Sequence, residues 1–207
     1  MGTRRIILAS GNAHKAAEFA SLVAESGLEW KLESARAIGG MPEVVEDTGS
    51  FVGNARKKAL ALRAVAPADA WVMADDSGLC VDELDGGPGV ESAYYAGPAG
   101  DAAANLAKLV ETMRAVPAAR RGAQFYCVLV LIAPDGAEQI FEGRCAGRLA
   151  NEPMGGAGFG YDPLFVPDGF EESFAQLGDA VKHTLSHRGR AWAALVAWAR
   201  GDAGAPG

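Results

Sequence analysis

The chain has 207 residues, 49% of them apolar, enough for one compact domain or two closely joined lobes around a buried core, which excludes general disorder. Nineteen basic against 26 acidic residues leave a net charge of −7, which opposes nonspecific binding to nucleic acid, because that binding draws its affinity from clustered cations. The longest apolar run, Phe125 to Ala133, is far short of the roughly 20 residues a bilayer span needs, so neither a membrane span nor a signal peptide is expected.

The three cysteines, Cys80, Cys127 and Cys145, form no C-x-x-C and lie in apolar surroundings, as in a reduced, cytoplasmic protein without disulfides or zinc knuckles. In chain order, Arg4 to Ala9 reads as a strand ending at Ser10-Gly11-Asn12, followed by a helix through Phe19, Leu22 and Val23. Glu29 to Ser34 predicts a second strand, Ala37 to Gly49 a loop, and Ala55 to Val65 a helix stopped before Pro67. Trp71 to Ala74 reads as a buried strand that gives way to a polar turn at Asp75-Asp76-Ser77-Gly78. Asp101 is placed to cap a helix through Leu106, Leu109 and Met113.

Beyond that helix, Phe125 to Ala133 and Glu138 to Ala150 flank Pro134-Asp135-Gly136 and predict a long hairpin. A Gly-rich loop, Gly155 to Asp162, precedes the apolar Leu164 to Val166, and a last helix runs from about Ser186 through Ala199. The expectation is an α/β fold, a mixed sheet flanked by helices in two lobes, with one domain over 1–200 and a flexible tail over 201–207.

Five stretches carry groups capable of chemistry. Asn12 as N-cap leaves first-turn amides facing the Ser10-Gly11-Asn12-Ala13-His14-Lys15 loop, and the Lys15 ammonium is in reach of an anion held there. Alone this describes an ordinary capped helix, and no Walker A pattern is present. Glu46 and Asp47, followed by Lys57 and Lys58, combine carboxylates with phosphate-reaching ammonium groups; Mg²⁺ takes only one or two protein carboxylates, so the set suits a magnesium nucleotide as well as it suits a solvated loop. Asp75 and Asp76 end an apolar strand, and alternation aims only one of them at a ligand, the other supporting the turn. Phe159, Gly160, Tyr161 and Asp162 offer a ring to stack on, close backbone approach and an acceptor for a ring N–H, the elements of a base pocket. Ser186 as N-cap puts His187 and Arg188 in the first turn of the last helix, where cations oppose the helix dipole unless an acceptor-rich ligand lies there. His183 and His187 have the spacing of a helical metal pair, but the interposed cap argues against one continuous helix.

Taken in order, SGNAHKAAEF, EDTGSFVGNARKKAL, ADDSGLCVDELDGGPGVESAYYAG, FYCVLVL, GGAGFGYDPLF and KHTLSHRGRA resemble the inosine triphosphate pyrophosphatase family, from Ser10 to Ala191. The resemblance implies hydrolysis of deaminated purine nucleoside triphosphates (ITP, dITP, XTP) to monophosphate and pyrophosphate, Mg²⁺ dependence, a homodimer, and an elongated mixed sheet with the nucleotide in a cleft between two lobes. It implies that Ser10 to Lys15, Lys58 and Lys182 hold the triphosphate, that Asp76 is catalytic base and metal contact, and that Ser77 touches substrate. Asp47, or Glu46, supplies the second metal carboxylate, while Phe159 to Asp162 with His187 and Arg188 enclose the base.

The chain departs from the family pattern in three places. Thr48-Gly49-Ser50-Phe51 is one residue shorter than the usual T-G-x-T-F, which leaves the choice between Glu46 and Asp47 open. Gly53 replaces a glutamate, and Ser92-Ala93-Tyr94 stands where S-A-R is common. Two other readings share these residues: a sensor that binds nucleotide without turnover, and a pyrophosphatase preferring another base.

Overall fold

The computed structural model describes residues 3–156 and 158–201; the expected tail over 201–207 therefore lies almost wholly outside the described residues. The elements are β1 (Arg4–Leu8), α1 (Ala13–Glu25), β2 (Trp30–Ser34), α2 (Phe51–Arg63), β3 (Trp71–Val81), α3 (Ala102–Met113), β4 (Gly122–Ile132), β5 (Glu138–Leu149), β6 (Phe165–Pro167), α4 (Phe174–Leu177), α5 (Asp179–Leu185) and α6 (His187–Arg200). The strands form one six-stranded mixed sheet in the order β2-β1-β3-β4-β5-β6. β1 runs parallel to β2 and β3, and β6 runs antiparallel to β5. The predicted α/β class is what the chain adopts. No helix among the described residues is long and apolar enough to cross a membrane.

The chain divides into two compact units, and β3, β4 and β5 each pass from one to the other, at Asp76/Ser77, Cys127/Val128 and Glu142/Gly143. The first unit holds β1, β2, α1, α2, the hairpin tip and most of α6. Its core is β-branched and aliphatic: Ile6, Ile7 and Leu8 are fully buried, as are Val72, Met73 and Leu62. Trp192 of α6 packs edge-on to Phe19 and Trp30 at 6.3 and 5.9 Å and donates its indole N–H to the Leu22 carbonyl at 3.1 Å, satisfying the one polar atom that burial would strand. At the hairpin tip the Asp135 carboxylate accepts the Ala137 amide at 3.0 Å. The second unit packs Leu79, Leu109, Met113, Phe125, Phe165 and Phe174 into one cluster. The buried Arg121 guanidinium donates to the carbonyls of Met113, Val116 and Ala150, closing the end of α3.

Three expectations need correction. β3 does not stop at Ala74 but continues to Val81, so Asp75 and Asp76 lie inside a buried strand rather than in a turn. Its continuation is driven by Leu79 and Val81, both fully buried, and the aspartates are tolerated because lysines meet them. α2 starts at Phe51, not Ala55, because the Ser50 hydroxyl accepts the Gly53 amide at 3.1 Å and caps the helix one turn earlier. The segment between β6 and α6 holds two short helices the periodicity does not show: a Ser173/Gln176 capping box starts α4, and Gly178 at φ +76° separates it from α5. The break between His183 and His187 is as expected, since Ser186 is extended and α6 begins after it.

Candidate active site

In the first unit the site begins where β1 hands over to α1. The Asn12 carboxamide accepts the amides of His14 at 2.9 Å and Lys15 at 3.2 Å, as its sequence position predicts. Asn12 thereby occupies two of the first-turn amides expected to face an anion, so the cradle is narrower than the sequence implies. The Lys15 ammonium sits 2.9 Å from Asp75, whose carboxylate is 1% exposed. One residue on, alternation turns Asp76 to another lysine: Lys58 of α2 donates to Asp76 Oδ1 at 2.9 Å and to Glu46 Oε2 at 3.0 Å. Lys58 thus gathers two carboxylates that lie 30 residues apart in the chain, and Asp76 Oδ2 remains buried without a hydrogen-bond partner.

The loop carrying Glu46 is fixed to α2. Thr48 donates its amide and hydroxyl to the buried Asn54 carboxamide at 3.2 and 2.7 Å. Closure leaves no room at position 53, where a Cβ would stand 2.3 Å from Thr48 Oγ1, which accounts for the glycine in place of glutamate. The same geometry separates the two candidate metal carboxylates. Glu46 shares Lys58 with Asp76, whereas Asp47 is exposed and pairs with Lys57, whose ammonium also donates to the Val45 carbonyl.

Glu46, Asp75 and Asp76 face two ammonium groups, Lys15 and Lys58, leaving one excess negative charge in a largely buried cluster. Burial is the main cause that lifts the Asp76 pKa to about 6; Lys58 and Lys15 oppose the rise, and Glu46 adds to it. Burial pulls the Lys58 pKa down, but Asp76, Asp75 and Glu46 outweigh it and leave it raised. Asp47, held by Lys57, is lowered. An excess carboxylate charge with an unsatisfied buried oxygen fits a divalent cation. Among the described residues no three acidic, histidine or cysteine side chains form a ready-made cage. Two carboxylates suit Mg²⁺, which keeps several waters and takes its remaining ligands from a polyphosphate.

The second unit carries the other expected residues. Asp162 accepts the Phe159 amide and the Lys182 ammonium, both at 2.8 Å. Lys182, expected with the phosphates, is therefore found on Asp162. Gly158, at φ +100°, has no space for a side chain, since its Cβ would lie 2.8 Å from that of Asp162. Tyr161, expected as a possible stacking ring, is instead a core residue: it is 5% exposed and its hydroxyl donates to the Ser92 carbonyl at 2.8 Å. The ring left at the surface is Phe159, 47% exposed. Ser186 caps α6 by accepting the Gly189 amide at 3.1 Å. Behind that cap, Arg188 donates to the Ser77 hydroxyl at 3.0 Å, and the buried His187 ring lies flat on Phe125, centroids 4.7 Å apart and planes within 12°.

The structure thus brings together Lys15 with Asp75, Lys58 with Glu46 and Asp76, Asp162 with Phe159 and Lys182, and Arg188 with Ser77. Sequence reasoning missed Asn54, Ser92 and Phe125. Ser92 and Phe125 act through partners distant in sequence, and Asn54 through a loop closure six residues back that no periodicity marks.

Fold and site together define a mixed α/β protein carrying a lysine-bridged carboxylate cluster. The chain belongs to the Ham1 family, whose profile matches residues 6–198. The dITP/XTP pyrophosphatase of Opitutus terrae is 62% identical over 200 residues, covering 95% of this chain and 98% of its own. Among solved structures, the Ham1 protein of Staphylococcus aureus superposes with a TM-score of 0.83 at 33% identity, covering 96% of this chain and 100% of its own. The nucleoside-triphosphatase, dITP/XTP pyrophosphatase, of Mycobacterium abscessus does so at 0.73 and 43%, covering 92% and 98%.

Proposed function

We propose that the protein hydrolyses nonstandard purine nucleoside triphosphates, dITP, ITP and XTP, to the monophosphate and pyrophosphate. The observation that carries the reading is the excess negative charge around Asp76, whose free oxygen calls for a cation, with Lys15 and Lys58 beside it. Support comes also from the relatives, named for this activity, and from the near-complete coverage of the chain.

In this reading Asp76 and Glu46 would hold Mg²⁺, and Asp47 would not. The ion would supply neutralisation of charge on the phosphate oxygens. The Lys15 and Lys58 ammonium groups transfer part of their pairing from the aspartates to the triphosphate and offset the charge that builds as the bond to pyrophosphate breaks. Asp76, whose carboxyl is pushed up by burial while no cation is bound, orients the water that attacks the α-phosphorus and takes its proton. His187 and Arg188 are donors suited to the 6-oxo group of hypoxanthine or xanthine. Adenine presents an amino donor there, and a buried donor facing a donor is costly, so ATP is a poor substrate. Action as a homodimer in the cytoplasm completes the reading; it rests on the family resemblance and on three free cysteines.

A panel of dITP, ITP, XTP, dATP and dTTP with Mg²⁺, read by pyrophosphate release, tests the proposal. Rapid release from the first three and slow release from the others is expected. Equal turnover of all five removes the base selectivity, and binding of dITP without release favours a sensor.

A further inference from the structure

The base-recognition half of this reading leaves one question: what fixes the orientation of His187, a first-turn residue of α6. The ring plane matters, because an imidazole offers its hydrogen bonds only in that plane. It is set from one side by Phe125. The two rings are nearly parallel, 12° apart with centroids at 4.7 Å, and both residues are more than nine-tenths buried.

Phe125 is itself locked. Phe165 meets it edge-on at 4.8 Å and 63°, Phe174 stacks at 6.1 Å and 27°, and Phe165 and Phe174 pack on each other at 5.2 Å. A single hydrophobic contact would hold His187 in place but leave the ring free to rotate. A flat stack on a ring that is itself wedged against two others fixes the plane. On the other side of the chain, the Ser186 cap sets the backbone from which His187 leaves, so both the root and the plane of the imidazole are determined.

We propose that Phe125 is a positioning residue for base selection: it holds the His187 ring in the plane that lets it donate to a 6-oxo purine, and touches no substrate itself. The inference rests on the proposed role of His187 in base recognition. Loss of the stack loosens the plane of the imidazole, so the penalty falls on binding and discrimination of the base and leaves the phosphate chemistry in the first unit untouched.

The test is a double-mutant cycle of Phe125→Leu and His187→Ala, with KM and kcat for dITP and dATP and with thermal unfolding of each variant. Phe125→Leu is expected to raise KM for dITP about two- to tenfold, the range of a ring–ring contact, with kcat within about twofold and little change for dATP. On the His187→Ala background the same substitution is expected to add nothing, since its effect passes through His187. Phe125→Met, which fills the site without a ring, is expected to behave like Phe125→Leu and serves if the leucine variant does not fold. Leu109→Val, a change in the same core cluster away from His187, is expected to lower stability without changing the dITP-to-dATP ratio.

Additive effects of Phe125→Leu and His187→Ala, a fall in kcat in place of the rise in KM, or the same change in Leu109→Val would overturn the inference. If His187→Ala itself leaves KM for dITP unchanged, the role of His187 in base recognition fails instead.

Discussion

The two groups of functional residues are built on different physics. Around Asp76 the first unit uses charge: two lysines against three carboxylates, with distances of 2.9 to 3.0 Å and Asp76 Oδ2 buried without a hydrogen-bond partner. The second unit uses shape: Asp162 accepts from Phe159 and Lys182, Arg188 donates to Ser77, and His187 is stacked flat on a ring. A cluster left one positive charge short can rearrange its pairs around an incoming polyphosphate. A cluster whose side chains are packed in place can discriminate, because a mismatched base cannot be met by rearrangement. Changes in the first unit should therefore strike the rate of chemistry, and changes in the second should strike the choice of base.

The largest effect is expected from Asp76→Asn, which removes the proton acceptor and a cation ligand together: kcat for dITP falls by about 10³-fold or more. Glu46→Gln comes next, with kcat/KM down about 10- to 100-fold and a higher Mg²⁺ requirement, both read by steady-state kinetics over a metal titration. Arg188→Ala should cost about tenfold in kcat/KM for dITP while dATP hardly changes, so the selectivity ratio narrows; an equal loss for both substrates would erase the contrast between the units.

Stability gives a smaller and opposite signal. The folded-state pKa of Asp76, about 6, lies above its ordinary value of 3.8, so the native state favours the protonated form. The wild-type protein then loses stability as pH rises between those values, by up to about 3 kcal/mol. Asp76→Asn escapes this loss, so denaturant titrations should show it more stable than wild type at pH 7.5, with the difference vanishing near pH 4. The smallest effect is expected at the residue beside Glu46. Asp47→Ala should leave kcat/KM within about twofold, as for an exposed ion pair.

Much of this architecture is legible in the sequence where a signal is local. The Asn12 and Asp101 caps, the Pro134-Asp135-Gly136 turn and the Ser186 break each act within a few residues and appear as expected. The alternation that sends Asp75 to Lys15 and Asp76 to Lys58 also follows from the period of a strand. What is not legible depends on partners far away. Two adjacent aspartates ordinarily end a buried strand, and β3 continues through them only because lysines from α1 and α2 meet the charges. That Glu46 and not Asp47 shares Lys58 with Asp76 goes with the Thr48–Asn54 contacts that fold the loop back on α2. Tyr161 reads as a base-stacking ring until its hydroxyl is found on Ser92.

The central claim is that Asp76 and Glu46 together seat the divalent cation. Manganese binding by electron paramagnetic resonance, in the presence of a nonhydrolysable dITP analogue, tests it on wild type, Glu46→Gln, Asp76→Asn and Asp47→Ala. Tight binding by wild type and Asp47→Ala, with at least tenfold weaker binding by the other two, is the predicted result. Retention of manganese by Glu46→Gln together with its loss in Asp47→Ala would contradict the account.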